Sequence, residues 1–265
     1  MIAQLGKKKR LERIFSRNGK AFIVPIDDLL ISGPEYQLKD YKEKVSLLKD
    51  THVSSVLGYP GVFNQFYSKL KEKSWIMNLT TSTIRCNHTD KKLAFNLKNA
   101  VFIGCDAVAV HVNLTSPTEG DMISNLAKIS CECQEYGIPL MAIIYARKPG
   151  VNNVDENYID LKSNKNEEYT SLVSHACRVA VEIGADLIKT NYTGSIDSFK
   201  KVIYASGDVP VVISGGHKVS ETEVLQNIRN SFEAGASGVC FGRNFFCREN
   251  CVSFSEKVIS IIDEY

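Results

Sequence analysis

The residues best suited to chemistry in this chain sit in Ala185-Asp186-Leu187-Ile188-Lys189-Thr190-Asn191-Tyr192-Thr193-Gly194. A short apolar run carries a lysine at its end and then breaks into a polar, Gly-containing turn. A buried parallel strand delivers an amine to the mouth of a barrel in this way. Burial disfavours the charged form, so the placement predicts a lowered lysine pKa. A neutral amine attacks a carbonyl and forms a Schiff base. Taken alone, the commoner reading is a strand-end lysine reaching solvent; the rest of the chain reverses that preference.

Other apolar runs end in chemically useful residues. They are Asp27 and Asp28, Tyr59, Asn78, His111 and Asn113, Tyr145, Ser214-Gly215-Gly216, and Gly242-Arg243. An amine, a carboxylate and a phenol are the set that Schiff-base carbon–carbon chemistry requires, because protons must move during carbinolamine dehydration and bond cleavage. Ser214-Gly215-Gly216 and Gly242-Arg243-Asn244 follow the seventh and eighth runs. In α/β barrels this is the usual phosphate position, with Gly exposing backbone N–H groups and Arg supplying charge. His111 reads either as a hydrogen-bonded core histidine or as a substrate contact. Arg147 reads as a phosphate-positioning group or a loop charge, and Lys218 as a second phosphate contact or a solvated side chain.

The elements that must position these residues recur with a steady rhythm. Strand-like runs cover Ala21–Ile26, Ser54–Leu57, Trp75–Leu79, Asp106–Val112, Leu140–Ile144, Asp186–Ile188, Val209–Ile213 and Gly238–Phe241. Most are continuously apolar, as strands buried on both faces are. Helical spacing marks Thr118–Tyr136, Thr170–Ile183 and Ser220–Ala234, each followed by glycine, the common C-terminal stop. Eight β-then-α units predict an α/β fold, a single (β/α)8 TIM barrel spanning residues 1–265. Residues 1–17 precede the first strand and are expected to pack as a helical extension against the closed end. Its basic cluster Lys7-Lys8-Lys9-Arg10 is expected to be solvated. Residues 151–168 are polar and Asn-rich, and so long a loop on the active face predicts a lid or a disordered segment.

Composition narrows the function. With 32 Lys+Arg against 30 Asp+Glu the charge is nearly balanced, which argues against a nucleic-acid surface. No apolar stretch approaches membrane-spanning length, and no apolar segment follows the N-terminal charges as in a secretory signal. A cytoplasmic location is expected, with the eight cysteines reduced. The five histidines lack metal-binding spacing, so neither a metal nor another cofactor is expected. That also disfavours metal-dependent chemistry.

The motifs Ala107-Val108-Ala109-Val110-His111-Val112-Asn113, Pro139-Leu140-Met141-Ala142, Lys189 to Gly194, Ser214-Gly215-Gly216-His217-Lys218 and Gly242-Arg243-Asn244-Phe245-Phe246 resemble the archaeal-type class I aldolases. That group includes class I fructose-bisphosphate aldolases, aminodideoxyheptulosonate synthases and the synthases that join aspartate semialdehyde to dihydroxyacetone phosphate. Deoxyribose-phosphate aldolases are distant relatives. The resemblance runs from about Arg13 to Ile261. It implies Lys189 as the Schiff-base lysine, Tyr145 as general acid/base and Asp27 as its proton-transfer partner. It also implies Ser214, Gly215, Gly216, Gly242 and Arg243 at the phosphate, small-molecule ketone and aldehyde substrates, and a homo-oligomer. One departure stands out. The family's Asp-His-Gly becomes Asp27-Asp28-Leu29 here, with Gly33-Pro34 retained. Asp28 either caps the following turn or reaches the mouth, where it would hold the amino group of an acceptor such as aspartate semialdehyde. A barrel that only senses a sugar phosphate is the non-enzymatic rival, and the intact Lys189, Tyr145 and Asp27 weigh against it.

Overall fold

The computed structural model describes residues 2–33, 41–150, 155–156, 158–216 and 218–265. Eight parallel strands close into a barrel: β1 Ala21–Pro25, β2 Ser55–Gly58, β3 Ser74–Asn78, β4 Ala107–Leu114, β5 Leu140–Ala146, β6 Leu187–Asn191, β7 Val211–Ser214 and β8 Gly238–Cys240. They pair in chain order, and β1 closes the ring on β8, with Ala21 opposite Gly238. This is the TIM-barrel arrangement that the alternating runs predict. At the closure a Cβ on Gly238 would stand 2.3 Å from the Ala21 carbonyl oxygen, so only glycine lets the two strands meet.

Strand alternation sorts the side chains. Phe22, Val24, Val108, Val110, Ala142, Ile144 and Ile188 point outward and pack under the helices. Ala21, Ile23, Leu57, Ile76, Ala107, Ala109, Met141, Ile143, Leu187, Val212 and Cys240 point inward and fill the barrel. The helix Ile2–Ile14 lies across the closed end, where Leu11, Ile14 and Phe15 pack against this inner set. The basic cluster there is not simply solvated. Lys7 is buried and paired with Asp186 at 2.7 Å, and Arg10 donates to the carbonyls of Gly6 and Gly137. The cluster lies on a helix pressed against the barrel, so Lys7 and Arg10 meet a carboxylate and backbone carbonyls, while Lys8 and Lys9 stay exposed.

Helices Glu119–Tyr136, Asn166–Ile183 and Glu221–Glu233 occupy the expected crossovers. The stretch read as a polar loop after β5 is more ordered than its composition suggests. Within its described residues, Asp155–Glu156 pairs with Lys148–Pro149 and a helix spans Ile159–Asn164. Tyr158 and Leu161 supply the apolar contacts that hold it on the core. Residues 151–154 and 157 of the expected lid lie outside the described residues, as do Pro34 and His217. After β3 the chain makes a second excursion, an antiparallel pair of Thr80–Thr81 with Lys92–Leu93, before re-entering at β4. Among the described residues no helix is long and apolar enough to cross a membrane.

Candidate active site

The inward parity of the strands builds the site one layer above the apolar filling. On β6, Leu187 fills the barrel and Lys189, two residues on, points to the same side. Lys189 sits inside the strand, beside Ile143 of β5 and Val212 of β7. It is therefore a wall residue and not, as the sequence suggested, one just past the strand end. β5 likewise runs on through Tyr145, which lies opposite Asn113. A cavity of about 370 Å³ opens here. It is lined by Asp27, Asp28, His111, Tyr145, Lys189, Ser214, Gly215, Gly216, Gly242 and Arg243, and also by Asn78, His88, Lys91, Arg147, Asn191 and Cys240. All ten candidate residues of the sequence reading thus share one chamber. Tyr59 does not reach it: its hydroxyl donates to the Thr80 carbonyl at 2.9 Å. Lys218 is exposed and lies outside the lining.

A chain of hydrogen bonds fixes the floor of the chamber. Asn78 Nδ2 donates to Asp27 Oδ2 at 3.0 Å, and Thr80 donates to Asn78 Oδ1 through both its backbone N–H and its hydroxyl. The His111 backbone N–H donates to Thr80 Oγ1, and His111 Nε2 lies 3.0 Å from Asn113 Oδ1. Asn113 Nδ2 donates to the Thr89 carbonyl, so its oxygen faces the imidazole and the imidazole proton sits on Nε2. The Tyr145 ring meets His111 edge-on at 5.1 Å, and the Arg147 guanidinium lies over the Tyr145 ring at 4.5 Å.

The electrostatics differ from the sequence expectation in one respect. Burial opposes the charge of Lys189, but its contacts with Cys240, Tyr145 and Asp27 favour the charged form and outweigh it. The ammonium is held above the ordinary lysine value instead of below it. The desolvation was foreseen; the counter-charge was not. Asp27 is pushed up by burial, which Lys189 and Asn78 only partly offset. Burial also pushes up the Cys240 thiol, which hydrogen-bonds Lys189. His111 is driven well below its ordinary value by burial, with Lys91 and Arg147 adding to the effect. It stands as a neutral imidazole.

On the opposite wall, Gly216 adopts φ +58°, which L side chains rarely tolerate. A Cβ on Gly215 would press to 2.8 Å from the Phe241 ring. Asn244 braces this loop by donating to the Gly215 carbonyl at 2.7 Å and accepting from the Val219 N–H. Ser214 donates to Asn191 Oδ1 at 2.5 Å. Asp28 lines the cavity and opens the short helix Asp28–Ser32; its carboxylate accepts from the Ser32 hydroxyl, and the helix start has no side-chain cap. Among the described residues no group of three or more His, Cys, Asp or Glu side chains could hold a metal ion.

The sequence and the fold that build this chamber are matched among known proteins. Residues 21–248 match the DeoC/LacD family aldolase. The chain belongs to this family. It lies in the archaeal-type class I aldolase group. A 2-amino-3,7-dideoxy-D-threo-hept-6-ulosonate synthase of Halobacterium salinarum is 34% identical over 92% of this chain and 87% of its own length. A 2-amino-4,5-dihydroxy-6-oxo-7-(phosphonooxy)heptanoate synthase of Streptomyces griseus is 30% identical over 98% and 91%. An archaeal fructose 1,6-bisphosphate aldolase superposes with a TM-score of 0.84 at 26% identity, over 98% of this chain and 100% of that one. A related aldolase structure carries its catalytic lysine covalently bound to the carbinolamine intermediate of its substrate, with a TM-score of 0.84 at 26% identity over 97% and 99%.

Cys240, Asn191, His88 and Lys91 are among the lining residues that sequence reading did not single out. Cys240 and Asn191 were accessible by parity, two residues from Gly242 and Lys189. His88 and Lys91 carried no strand signal at all, because they come from the excursion after β3.

Proposed function

We propose that this aldolase works through a Schiff base on Lys189, with a phosphorylated ketone, dihydroxyacetone phosphate, as donor and an aldehyde as acceptor. The observation that carries the proposal is Lys189 buried on β6 beside Asp27 and Tyr145, in one chamber with Gly215, Gly216, Gly242 and Arg243. Lys189 rests as an ammonium, so it must first surrender a proton. Asp27, whose carboxyl burial makes more basic, is the nearby acceptor. The free amine adds to the donor carbonyl, giving a carbinolamine. Tyr145 protonates the departing hydroxyl as water and later removes the donor carbon's proton, so the iminium becomes an enamine. The enamine carbon then bonds to the acceptor aldehyde, the new alkoxide takes a proton, and water releases the product from Lys189. The donor phosphate lies against the Ser214–Gly216 and Gly242–Arg243 backbone.

A biosynthetic acceptor fits better than a purely glycolytic one. Asp28, in place of the family's histidine, offers a carboxylate for an acceptor amino group, as in aspartate semialdehyde, and the heptanoate synthase relative supports that reading. Transaldol-type transfer from a sugar phosphate is the second reading. It uses the same residues, and the heptulosonate synthase relative favours it.

Borohydride trapping with dihydroxyacetone phosphate, followed by peptide mass spectrometry, tests the proposal. A reduced adduct on Lys189 is the expected result. An adduct on another lysine sinks the site assignment, and no adduct with any phosphorylated ketone sinks the donor.

A further inference from the structure

The carboxylate that takes the first proton is itself held by a polar network with no role yet in the chemistry. Asn78 ends β3, is 2% exposed and lines the chamber. Its amide lies between partners of opposite kind. Nδ2 donates to Asp27 Oδ2 at 3.0 Å, while Oδ1 accepts from the Thr80 N–H at 3.1 Å and from the Thr80 hydroxyl at 3.0 Å. The first of the Thr80 bonds closes a turn on the Asn78 side chain, a local geometry that asparagine favours. It also forces the direction of the amide. A backbone N–H can only donate, so the Asn78 atom facing Thr80 is the oxygen and the atom facing Asp27 is the nitrogen.

Thr80 is fixed in turn from two further strands. Its Oγ1 accepts from the His111 N–H of β4 at 2.9 Å, and its carbonyl accepts from the Tyr59 hydroxyl, just past β2, at 2.9 Å. Thr80 is 2% exposed and lies behind the lining of the chamber, so it reaches the chemistry only through Asn78. Groups from β2, β3 and β4 thus converge to aim an N–H at one oxygen of the carboxylate at the end of β1. An oxygen that faces an N–H is committed as an acceptor. The proton leaving Lys189 therefore goes to the other oxygen. The Nζ–H bond breaks with its electron pair left on nitrogen, and an Oδ1–H bond forms on Asp27. The same N–H favours the ionised carboxylate and offsets part of the effect of burial.

We propose that Asn78, turned by Thr80, is the positioning residue for Asp27, holding Oδ2 so that Oδ1 receives the Lys189 proton. The proposal rests on the Schiff-base reading above and adds to it the group that prepares the proton acceptor. The titratable groups around Asp27 are Lys189 from β6, Cys240 from β8, its neighbour Asp28, and the Tyr41 and Tyr59 phenols. Substitutions at Asn78 and Thr80 leave all of them in place.

The test follows the Asp27 carboxyl directly. The full chain is isotope-labelled at the aspartate carboxyl carbon and titrated by NMR, with Asp27→Asn identifying the resonance. Asn78→Asp keeps the side-chain shape and both bonds from Thr80 but turns the donor into an oxygen, and Asn78→Ala removes the donor. Each is expected to raise the Asp27 midpoint by about one pH unit or more, tenfold in acid strength. Thr80→Val is expected to raise it by less, because the Thr80 N–H remains, and Thr80→Ser, which keeps the hydroxyl, is expected to match the wild-type chain. The rate of borohydride trapping of dihydroxyacetone phosphate on Lys189 should fall at low pH, where protonated Asp27 cannot take the Lys189 proton, and this acid limb should move up with the carboxyl midpoint. A midpoint unmoved in both Asn78 variants overturns the proposal, and a higher donor concentration for half-maximal trapping beside it would make Asn78 a substrate contact instead. A Thr80→Ser chain shifted as far as Thr80→Val overturns the part given to Thr80. Failure of the wild-type chain to form a trapped adduct counts against the Schiff-base reading alone, because the carboxyl titration needs no substrate.

Discussion

At the closed end of the barrel Lys7 meets Asp186 at 2.7 Å and Arg13 meets Asp106 at 2.8 Å. Both carboxylates also accept a strand-start N–H, Asp186 from Leu140 and Asp106 from Trp75. At the mouth, built from the other ends of the same strands, Lys189, Asp27 and His111 are buried; burial raises the Asp27 carboxyl and lowers the His111 imidazole, while neighbouring groups hold Lys189 above its ordinary value. The closed end uses charge to pin strands in place. The mouth gathers groups whose proton affinities are shifted by burial and by one another, the pattern found where protons are exchanged in turnover. The contrast separates residues kept for stability from residues kept for turnover, although the two kinds lie on the same strands.

Substitutions at each end can break that contrast. Lys189→Met should lower kcat/KM by about 10⁴-fold or more, since the covalent step has no substitute, with little loss of thermal stability. Steady-state kinetics and a melting curve check both halves, and a folded but active variant would end the Schiff-base assignment. Tyr145→Phe should cost about 10²- to 10³-fold in kcat. The donor adduct should still form on Lys189, though slowly, and unaltered turnover would remove Tyr145 from the proton path. Asp186→Asn should do the reverse. It leaves Lys7 buried without its counter-charge, at a cost of about 3 kcal/mol, while kcat should stay within about twofold. Denaturant unfolding reads the first effect, and a large change in kcat would show that the two ends are not independent.

The smallest effect should appear with pH. His88 and His111 are held neutral, with His88 down at about 3 against an ordinary 6.5. The unfolded chain therefore binds protons that the folded chain refuses. Their contribution to stability is complete above pH 6.5 and is lost as pH falls toward the folded values. Asp27 acts in the opposite sense, because its raised carboxyl favours the folded state at low pH and loses that contribution as pH rises. Two histidines against one carboxylate predict a melting temperature lower at pH 5 than at pH 7.5. His88→Asn should flatten the difference, and a melting temperature that rises on acidification would contradict the neutral assignment.

Much of the barrel was legible because its strands are continuous apolar runs punctuated by glycine-stopped helices. The candidate site was legible because the chemistry-bearing residues lie at or just beyond the ends of those runs. Parity extends that reading: Leu187, Lys189 and Asn191 share one face, and Cys240 shares its face with Gly242. What the sequence could not supply were facts fixed by residues far apart in the chain. Lys91 becomes buried only when the β3–β4 excursion folds over the mouth, and Lys7 only when the first helix meets Asp186. The Lys189 pKa moved opposite to expectation because the groups that favour its charged form come from β8, β5 and the end of β1. The helix Ile159–Asn164 was hidden by the polar residues around Leu161.

The plug formed by Leu11, Ile14 and Phe15 has a kinetic corollary. Together with the side chains that fill the barrel it closes the far end, so substrates approach Lys189 from the mouth and traffic obeys a queue. A donor bound at the bottom must arrive first, and an acceptor that enters early blocks the way. Initial-rate patterns should therefore show compulsory order, with substrate inhibition by excess acceptor that is relieved by raising the donor. Random-order kinetics would mean that the well has a second entrance.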